Sequence, residues 1–296
     1  MGASRRYRFR EGEVVPDGLR RIARGRIDHA LDELRGKTKS SPEEAVHEAR
    51  KDMKKLRALL RLTRNELGDE VYRRENECFR DAGRRLSGVR DADVMLETLD
   101  GLDGDFRDLR RLLKEHRSDR DDAREAVITV LGEARERVEE WPLEHDGFEA
   151  LEGGLRRIYR RGRRAWQAVE ENPTTENLHE WRKREKDLWY HLTLLRESWP
   201  PLLTTAADEA HALSDRLGED HDLAVLSEWA HEHAEALEDL DEAIRRRRAE
   251  LQGEALELGR RLYTERPRAF SSRLGGYWSA WRGQEAGRSD ERVAAG

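Results

Sequence analysis

Residues 46–56 of the chain read VHEARKDMKKL, and residues 178–188 read LHEWRKREKDL. The two stretches share the pattern H-E-x-R-K-x-x-K-x-L, with six identities in ten positions, and lie 132 residues apart. A match at so long an interval is typical of a duplicated half rather than of a solenoid repeat. The pair therefore predicts a chain built from two related halves.

Two further pairs of stretches repeat in the same order. LSGVRDADV at 86–94 corresponds to LGEDHDLAV at 217–225, and LRRIARGR at 19–26 corresponds to LRRIYRRGR at 155–163 with one insertion. Three pairs in one order indicate an internal duplication, with the joint near Trp141 to Gly154. The predicted organisation is a flexible segment at 1–15, a single domain over 16–282 made of halves 16–141 and 147–282, and a flexible tail at 283–296.

Apolar residues recur at helical spacing through most of the 296 residues, and no stretch alternates like a strand. Ser41, Pro42 and Glu44 form an N-cap, a first-turn proline and a capping-box acid, which predicts a helix from Pro42 to about Leu67. Short connections favour antiparallel neighbours, so the predicted fold class is all-α, with two pseudo-symmetric antiparallel four-helix bundles. The other predicted helices run at about 17–36, 69–87, 91–100, 105–141, 147–171, 174–198, 202–218, 221–237 and 239–264.

Composition excludes several classes of protein. Cys78 is the single cysteine, no apolar run is long enough to span a membrane, and the first residues lack the apolar core of a signal peptide. We therefore expect a cytoplasmic protein with no membrane partner. The net charge of −6 argues weakly against a nucleic-acid binder. Dinucleotide, phosphate-loop and zinc-protease motifs are missing, so we expect neither a cofactor nor a metal.

The cations of the repeated motif share one helix face. His47, Arg50, Lys54, Arg57 and Arg61 follow at i, i+3, i+7, i+10 and i+14, beside an apolar stripe that predicts the core. Like charges at such spacing repel, so the row costs stability unless an anion neutralises it. The row is roughly 15 to 20 Å long, which suits a linear polyanion better than one phosphate. Five more arginines are expected in the other wall of the resulting groove: Arg20, Arg24, Arg156, Arg160 and Arg163.

The doubled motif, each copy followed about 40 residues later by L-x-x-x-R/H-D-x-x-V, resembles the CHAD family, the conserved histidine α-helical domain. The resemblance covers about Asp17 to Trp281. It implies two four-helix bundles that bind inorganic polyphosphate in a basic central cleft or pore, without catalysis, and an association with polyphosphate granules. The ligand-facing residues that it implies are His47, Arg50, Lys51, Lys54, Arg57, His179, Arg182, Lys183 and Lys186. Trp189 departs from the pattern, because it stands at the position that matches Arg57.

Other interpretations of the same residues stay open. The basic rows are also compatible with solvated helix faces, and the two motif histidines with buried imidazoles. Asp91 and Asp222 are expected to cap helices or orient arginines, and the run Arg245 to Arg248 to be solvated surface. The alternative functions are a phosphoanhydride-processing enzyme that uses His47 or His179, and an RNA-binding scaffold, which the scarcity of aromatics among the basic rows disfavours. The oligomeric state is left open.

Overall fold

The computed structural model describes residues 6–86, 91–115 and 122–294, the side chains at 91–93, 122–123 and 284–294 excepted. Every regular element among these residues is helical, which confirms the predicted all-α class. The helices are α1 (Val15–Leu34), α2 (Pro42–Leu62), α3 (Arg64–Arg85), α4 (Asp91–Asp100), α5 (Arg107–Glu115), α6 (Asp122–Arg137), α7 (Glu149–Glu171), α8 (Thr175–Leu195), α9 (Pro200–His233), α10 (Glu238–Leu262) and α11 (Pro267–Ala294).

The capping box starts α2 where the sequence predicts. The Glu44 backbone N–H donates to Ser41 Oγ at 3.2 Å, and the Ser41 N–H donates to Glu44 Oε2 at 2.8 Å. The helix ends earlier than expected, because the chain leaves helical geometry at Thr63 and begins α3 one residue later. Gly68, at φ 70°, kinks α3 in a conformation that favours glycine.

Helices α1, α2, α3 and α6 pack as a first bundle. Between α1 and α2, the buried Asp52 carboxylate lies 2.6 Å from His29 Nδ1 and 3.1 Å from Arg26 Nη1. Between α3 and α6, Arg137 Nε donates to the buried Glu75 at 2.8 Å. Charge-assisted bonds to these carboxylates satisfy groups that would otherwise be costly to bury.

Helices α7, α8, α9 and α10 form a second bundle, with α11 against α7. The rings of His179 and His221 lie 4.6 Å apart, and those of Trp189 and His211 lie 4.0 Å apart. From the first contact to the second, the residue number rises on α8 and falls on α9. These two helices are therefore antiparallel. One hydrophobic cluster includes buried side chains of both bundles, so the halves share a core. The internal duplication itself stays a prediction.

A second, smaller apolar cluster joins parts of the chain that are far apart in sequence. Met95 and Leu99 of α4 and Leu109 and Leu113 of α5 pack with leucines of α9 and α10, including Leu223. The α4–α5 pair thus contacts the second bundle through α9. Met95 and Leu223 of this smaller cluster also line the cavity in which the candidate site lies.

Three predicted elements differ from the structure. The helices expected at 202–218 and 221–237 are one helix, α9, because Gly218 and Glu219 keep helical geometry in mid-bundle. The helix expected at 105–141 is described as α5 and α6, with residues 116–121 outside the described part of the chain. Helix α11 was not predicted, and its residues include most of the expected flexible tail at 283–296.

The start of the described chain is packed rather than loose. Phe9 is 1% exposed and lies edge-on to Trp278, with ring centroids 5.0 Å apart. Tyr7 is also buried, and its hydroxyl donates to the Lys55 carbonyl at 3.2 Å. The segment from 6 to 14 therefore differs from the flexible end that was expected, because two aromatic rings give it apolar area to bury.

None of the described helices combines the length and apolar character that crossing a bilayer requires.

Candidate functional site

A cavity of about 750 Å³ lies between the two motif helices and the small apolar cluster. Residues of α2 and α8 form one wall, and residues of α4 and α9 form the wall opposite. The motif residues that line the cavity are His47, Arg50, Lys54, Arg182 and Lys186. Cations that are about 130 residues apart in the sequence are thus brought into one space.

Helix geometry places these cations at the edge of the core. Arg50 and Lys54 are one turn apart on α2, and Arg182 and Lys186 are one turn apart on α8. The residue before each of these four cations is fully buried or nearly so. Two examples are Ala49 on α2 and Trp181 on α8. Burial of the apolar stripe therefore fixes the rotation of both helices and turns the basic face towards the cavity.

The like charges act on one another. Burial lowers the pKa of Lys54, and the positive charges of Lys186, Arg50 and Arg182 lower it further, to about 7. The Lys54 side chain nevertheless keeps access to solvent, because it opens on the cavity. Burial also lowers the pKa of Arg182, whose Nε has no hydrogen-bond partner. Positive charges therefore repel one another where these side chains meet.

Acidic side chains line the cavity as well, mostly on the α9 wall. Glu219 pairs with Arg247 of α10 at 2.7 Å, and Asp215 pairs with His211 at 3.0 Å. Asp222, by contrast, acts on the cations of the facing wall, raising the pKa of both Lys54 and Arg182. Asp222 lies in the middle of α9, so it caps no helix as had been expected, although it is placed to orient an arginine.

The two motif histidines occupy different surroundings. His47 lines the cavity, whereas His179 packs against His221 of α9. Burial and neighbouring cations lower the pKa of His179, and they lower that of His221 to about 4. The His179 and His221 rings are therefore neutral near pH 7. Nδ1 of both His47 and His179 is buried without a hydrogen-bond partner.

Several predicted residues do not line this cavity. Lys51 pairs with Glu48 at 2.7 Å and Lys183 with Glu180 at 2.6 Å, each one turn away on its own helix. Arg57 turns towards α3, where its Nε donates to Asn76 Oδ1 at 3.1 Å. The expected ligand-facing set is thus split: the members that do not line the cavity are Lys51, Arg57, His179 and Lys183.

Trp189, the residue that departs from the motif, does not line the cavity. Trp189 stacks on Tyr190, with ring centroids 4.7 Å apart, and packs against the main core. Its matching residue, Arg57, faces α3 instead of the cavity. The substitution therefore takes no cation from the cavity wall.

The five arginines expected in the other wall lie elsewhere. Arg20 donates to the Trp141 carbonyl at 2.9 Å, and Arg24 pairs with Glu139. Both line a separate cavity beside α1, together with Asp17 and Asp28. On α7, Arg156 and Arg163 are half-buried and Arg160 is exposed, and these three do not line the motif cavity either. The rest of the motif cavity is lined mostly by residues of α4 and α9, and by none of α1 or α7 that the structure describes.

Sequence reasoning missed the composition of that opposite wall. His221 and Asp222 belong to the repeated segment at 217–225, which the sequence does single out, but nothing local shows that it faces the motif cations. Arg247, expected as solvated surface, lies at the cavity edge and pairs with Glu219. The side chain of Asp91 lies outside the described residues. Over the described chain, no three His, Cys, Asp or Glu side chains form a group suited to a metal ion.

Comparisons with known proteins agree with this architecture. A family model described as the CHAD domain matches residues 21–231. Among solved structures, the chain is similar to the crystal structure of the CHAD domain from the plant Ricinus communis, with a TM-score of 0.62 and 17% identity over 89% of this chain and 97% of that one. At that identity the similarity shows the fold alone. No curated protein matches the chain.

Proposed function

Because this chain belongs to the CHAD domain family, we propose that it binds inorganic polyphosphate, without catalysis, in the cavity between α2 and α8. One observation carries the proposal. Arg50, Lys54, Arg182 and Lys186 line one cavity, where burial and the charges of the other three cations lower the pKa of Lys54 to about 7. A folded protein keeps such a costly arrangement where an anionic ligand binds the cations.

The chemistry of the lining favours phosphoryl oxygens. Guanidinium groups form paired, charge-assisted hydrogen bonds to phosphate, and lysines add point charges. A polymeric anion offers several such groups along one chain, so it can contact cations of both halves at once. The whole cavity wall is then used by one ligand.

The competing functions have specific weaknesses. Binding of RNA by base stacking needs exposed aromatic rings, and the residues that line the cavity include no Phe, Tyr or Trp. A phosphoanhydride-processing enzyme would use His47 as an acid, base or phosphate acceptor, since His47 is the motif histidine on the cavity. Chromatography of polyphosphate after incubation with the protein tests this alternative, because turnover would shorten the chains.

The test of the proposal is calorimetric titration of long-chain polyphosphate over a series of salt concentrations. The wild-type protein should bind, with affinity that falls steeply as salt rises, because a polyanion releases counterions on binding. Arg50→Glu/Lys54→Glu should lose at least a hundredfold in affinity while keeping its helical circular dichroism.

A matched control is Arg260→Glu/Arg261→Glu, which makes the same change in net charge on α10, where neither residue lines the cavity. This variant should bind within about threefold of the wild type. If both variants weaken binding equally, or if RNA of equal charge competes as well as polyphosphate, the cavity is not the binding site. We further expect the protein in the cytoplasm, at polyphosphate granules, and fluorescence microscopy of a tagged protein with and without granules tests this location.

A further inference from the structure

The acids of the cavity differ in what they face. Glu219 is engaged by Arg247 and Asp215 by His211, both on the side of α9 and α10. The charge of Asp222, by contrast, raises the pKa of Lys54 on α2 and that of Arg182 on α8. Its charge therefore reaches cations of both motif helices.

Helix α9 lies close to Arg182 at Gly218, one turn before Asp222. A methyl group at Gly218 would lie 3.9 Å from Arg182 Nε, and Asp222 follows one turn later on the same face of the helix. The neighbouring His221 ring lies 4.6 Å from His179, one turn before Arg182 on α8. This face of α9 is thus directed at the motif helices, and it brings a carboxylate to the cations that line the cavity.

We propose that Asp222 is the internal counterion of the cavity, a carboxylate that stands beside Lys54 and Arg182 in the ligand-free protein and competes there with the phosphoryl oxygens of an incoming anion. The proposal rests on the function proposed above and adds a residue that sets affinity. Asp222 makes the empty site less costly, since it offsets part of the repulsion among the cations. It also repels every anionic ligand, since like charges placed together in a site cost free energy.

Replacing the carboxylate by an uncharged isostere tests the idea. Asp222→Asn should strengthen binding of long-chain polyphosphate and of triphosphate by a similar factor, roughly tenfold, because the same carboxylate is removed from the path of both ligands. Asp208→Asn is the matched control: it makes the same change in net charge on the same helix, α9. It should alter either affinity by less than about twofold, because the exposed Asp208 does not line the cavity.

A second measurement needs no ligand. The pKa of Lys54, followed by nuclear magnetic resonance of labelled lysine, should fall below the wild-type value in Asp222→Asn and stay unchanged in Asp208→Asn. This readout separates the two proposals. If wild-type protein fails to bind polyphosphate, the proposed function fails, but the Lys54 pKa still decides whether Asp222 is the counterion.

The counterion proposal is overturned if Asp222→Asn binds both anions with wild-type or weaker affinity, or if the Lys54 pKa does not move. Circular dichroism checks that the variant is folded. If it is not, Asp222→Ser, which is smaller and also uncharged, takes its place and must give changes of the same sign in both measurements.

Discussion

At the scale of the residue, the fold shifts the pKa of Lys54 and the pKa of Glu185 far from their ordinary values. Lys54 is one of several cations around a cavity, and its pKa is about 7. Glu185, fully buried on α8, accepts a hydrogen bond from the Tyr263 hydroxyl at 2.5 Å, and burial raises its pKa to about 8. The first group belongs to the candidate site and the second to the core, so they make different predictions.

Polyphosphate binding should be coupled to protonation of Lys54. The free lysine loses its proton as pH rises above about 7, whereas a bound polyanion raises the pKa, so binding at pH 8 should take up as much as one proton and weaken as pH rises further. Calorimetry in buffers of different ionisation enthalpy measures this uptake. Lys54→Arg provides the comparison, because its guanidinium stays charged. An identical uptake by both proteins at pH 8 would contradict the prediction.

Glu185 should make the stability of the fold depend on pH. Its folded-state pKa of about 8 exceeds the ordinary value near 4.3, so the folded state favours the protonated carboxyl. The free energy of unfolding is therefore highest at low pH and falls as pH rises through 8. Relative to the wild type, Glu185→Gln should therefore gain stability between pH 5 and 9, on the order of 2–4 kcal/mol. Urea unfolding at both pH values measures the difference. Parallel pH profiles for the two proteins would show that Glu185 does not titrate as described.

At the scale of the element, the two bundles meet through close backbone contact. A Cβ at Gly154 of α7 would lie 1.8 Å from the carbonyl oxygen of Leu62, the last residue of α2. The backbone of Gly154 fixes where that Cβ would lie, and the oxygen is a backbone atom, so no side-chain rotation relieves such a contact. Glycine at this position is what allows α7 to cross the end of the motif helix.

Gly154→Ala should therefore destabilise the protein by about 3 kcal/mol, since the helices must separate. Gly253→Ala, in α10, is the control: no atom lies within 4 Å of the new methyl group, and the helical propensity of alanine should add about 1 kcal/mol of stability. Urea unfolding of both variants decides the matter. Equal shifts in the two midpoints would mean that α2 and α7 are not in close contact.

At the scale of the whole molecule, one cavity draws on both halves of the chain. The motif cations reach it from α2 and α8, and the opposite wall comes from α4 of the first half and α9 of the second. Neither bundle alone encloses the space. A ligand held there contacts both halves, and loss of either set of cations disrupts the same site.

Charge reversal in either half should thus have nearly the full effect. Arg50→Glu/Lys54→Glu and Arg182→Glu/Lys186→Glu are each expected to abolish most of the polyphosphate affinity, and the fourfold variant should lose little more, because residues in one site are not additive. Calorimetric affinity and stoichiometry give the test. Two independent sites would instead show half the stoichiometry in each double variant and additive losses in the fourfold one.

The sequence by itself determined what local physics controls. Capping chemistry placed the start of α2, helical periodicity gave the all-α class, and the apolar stripes of α2 and α8 fixed which residues sit beside the basic face. The motif resemblance led to the family that the comparisons show. All of these depend on residues within a few turns of one another.

Only the tertiary structure decided which part of each basic face is used and what lies opposite. Arg57 turns to Asn76 because α3 packs there, and Arg20 and Arg24 face away because α1 lies outside the cavity. Helix α9 continues through Gly218 because neighbouring helices support it, which brings Asp222 to the motif cations. Such outcomes depend on which helices pack together across more than a hundred residues, and no local pattern carries that information.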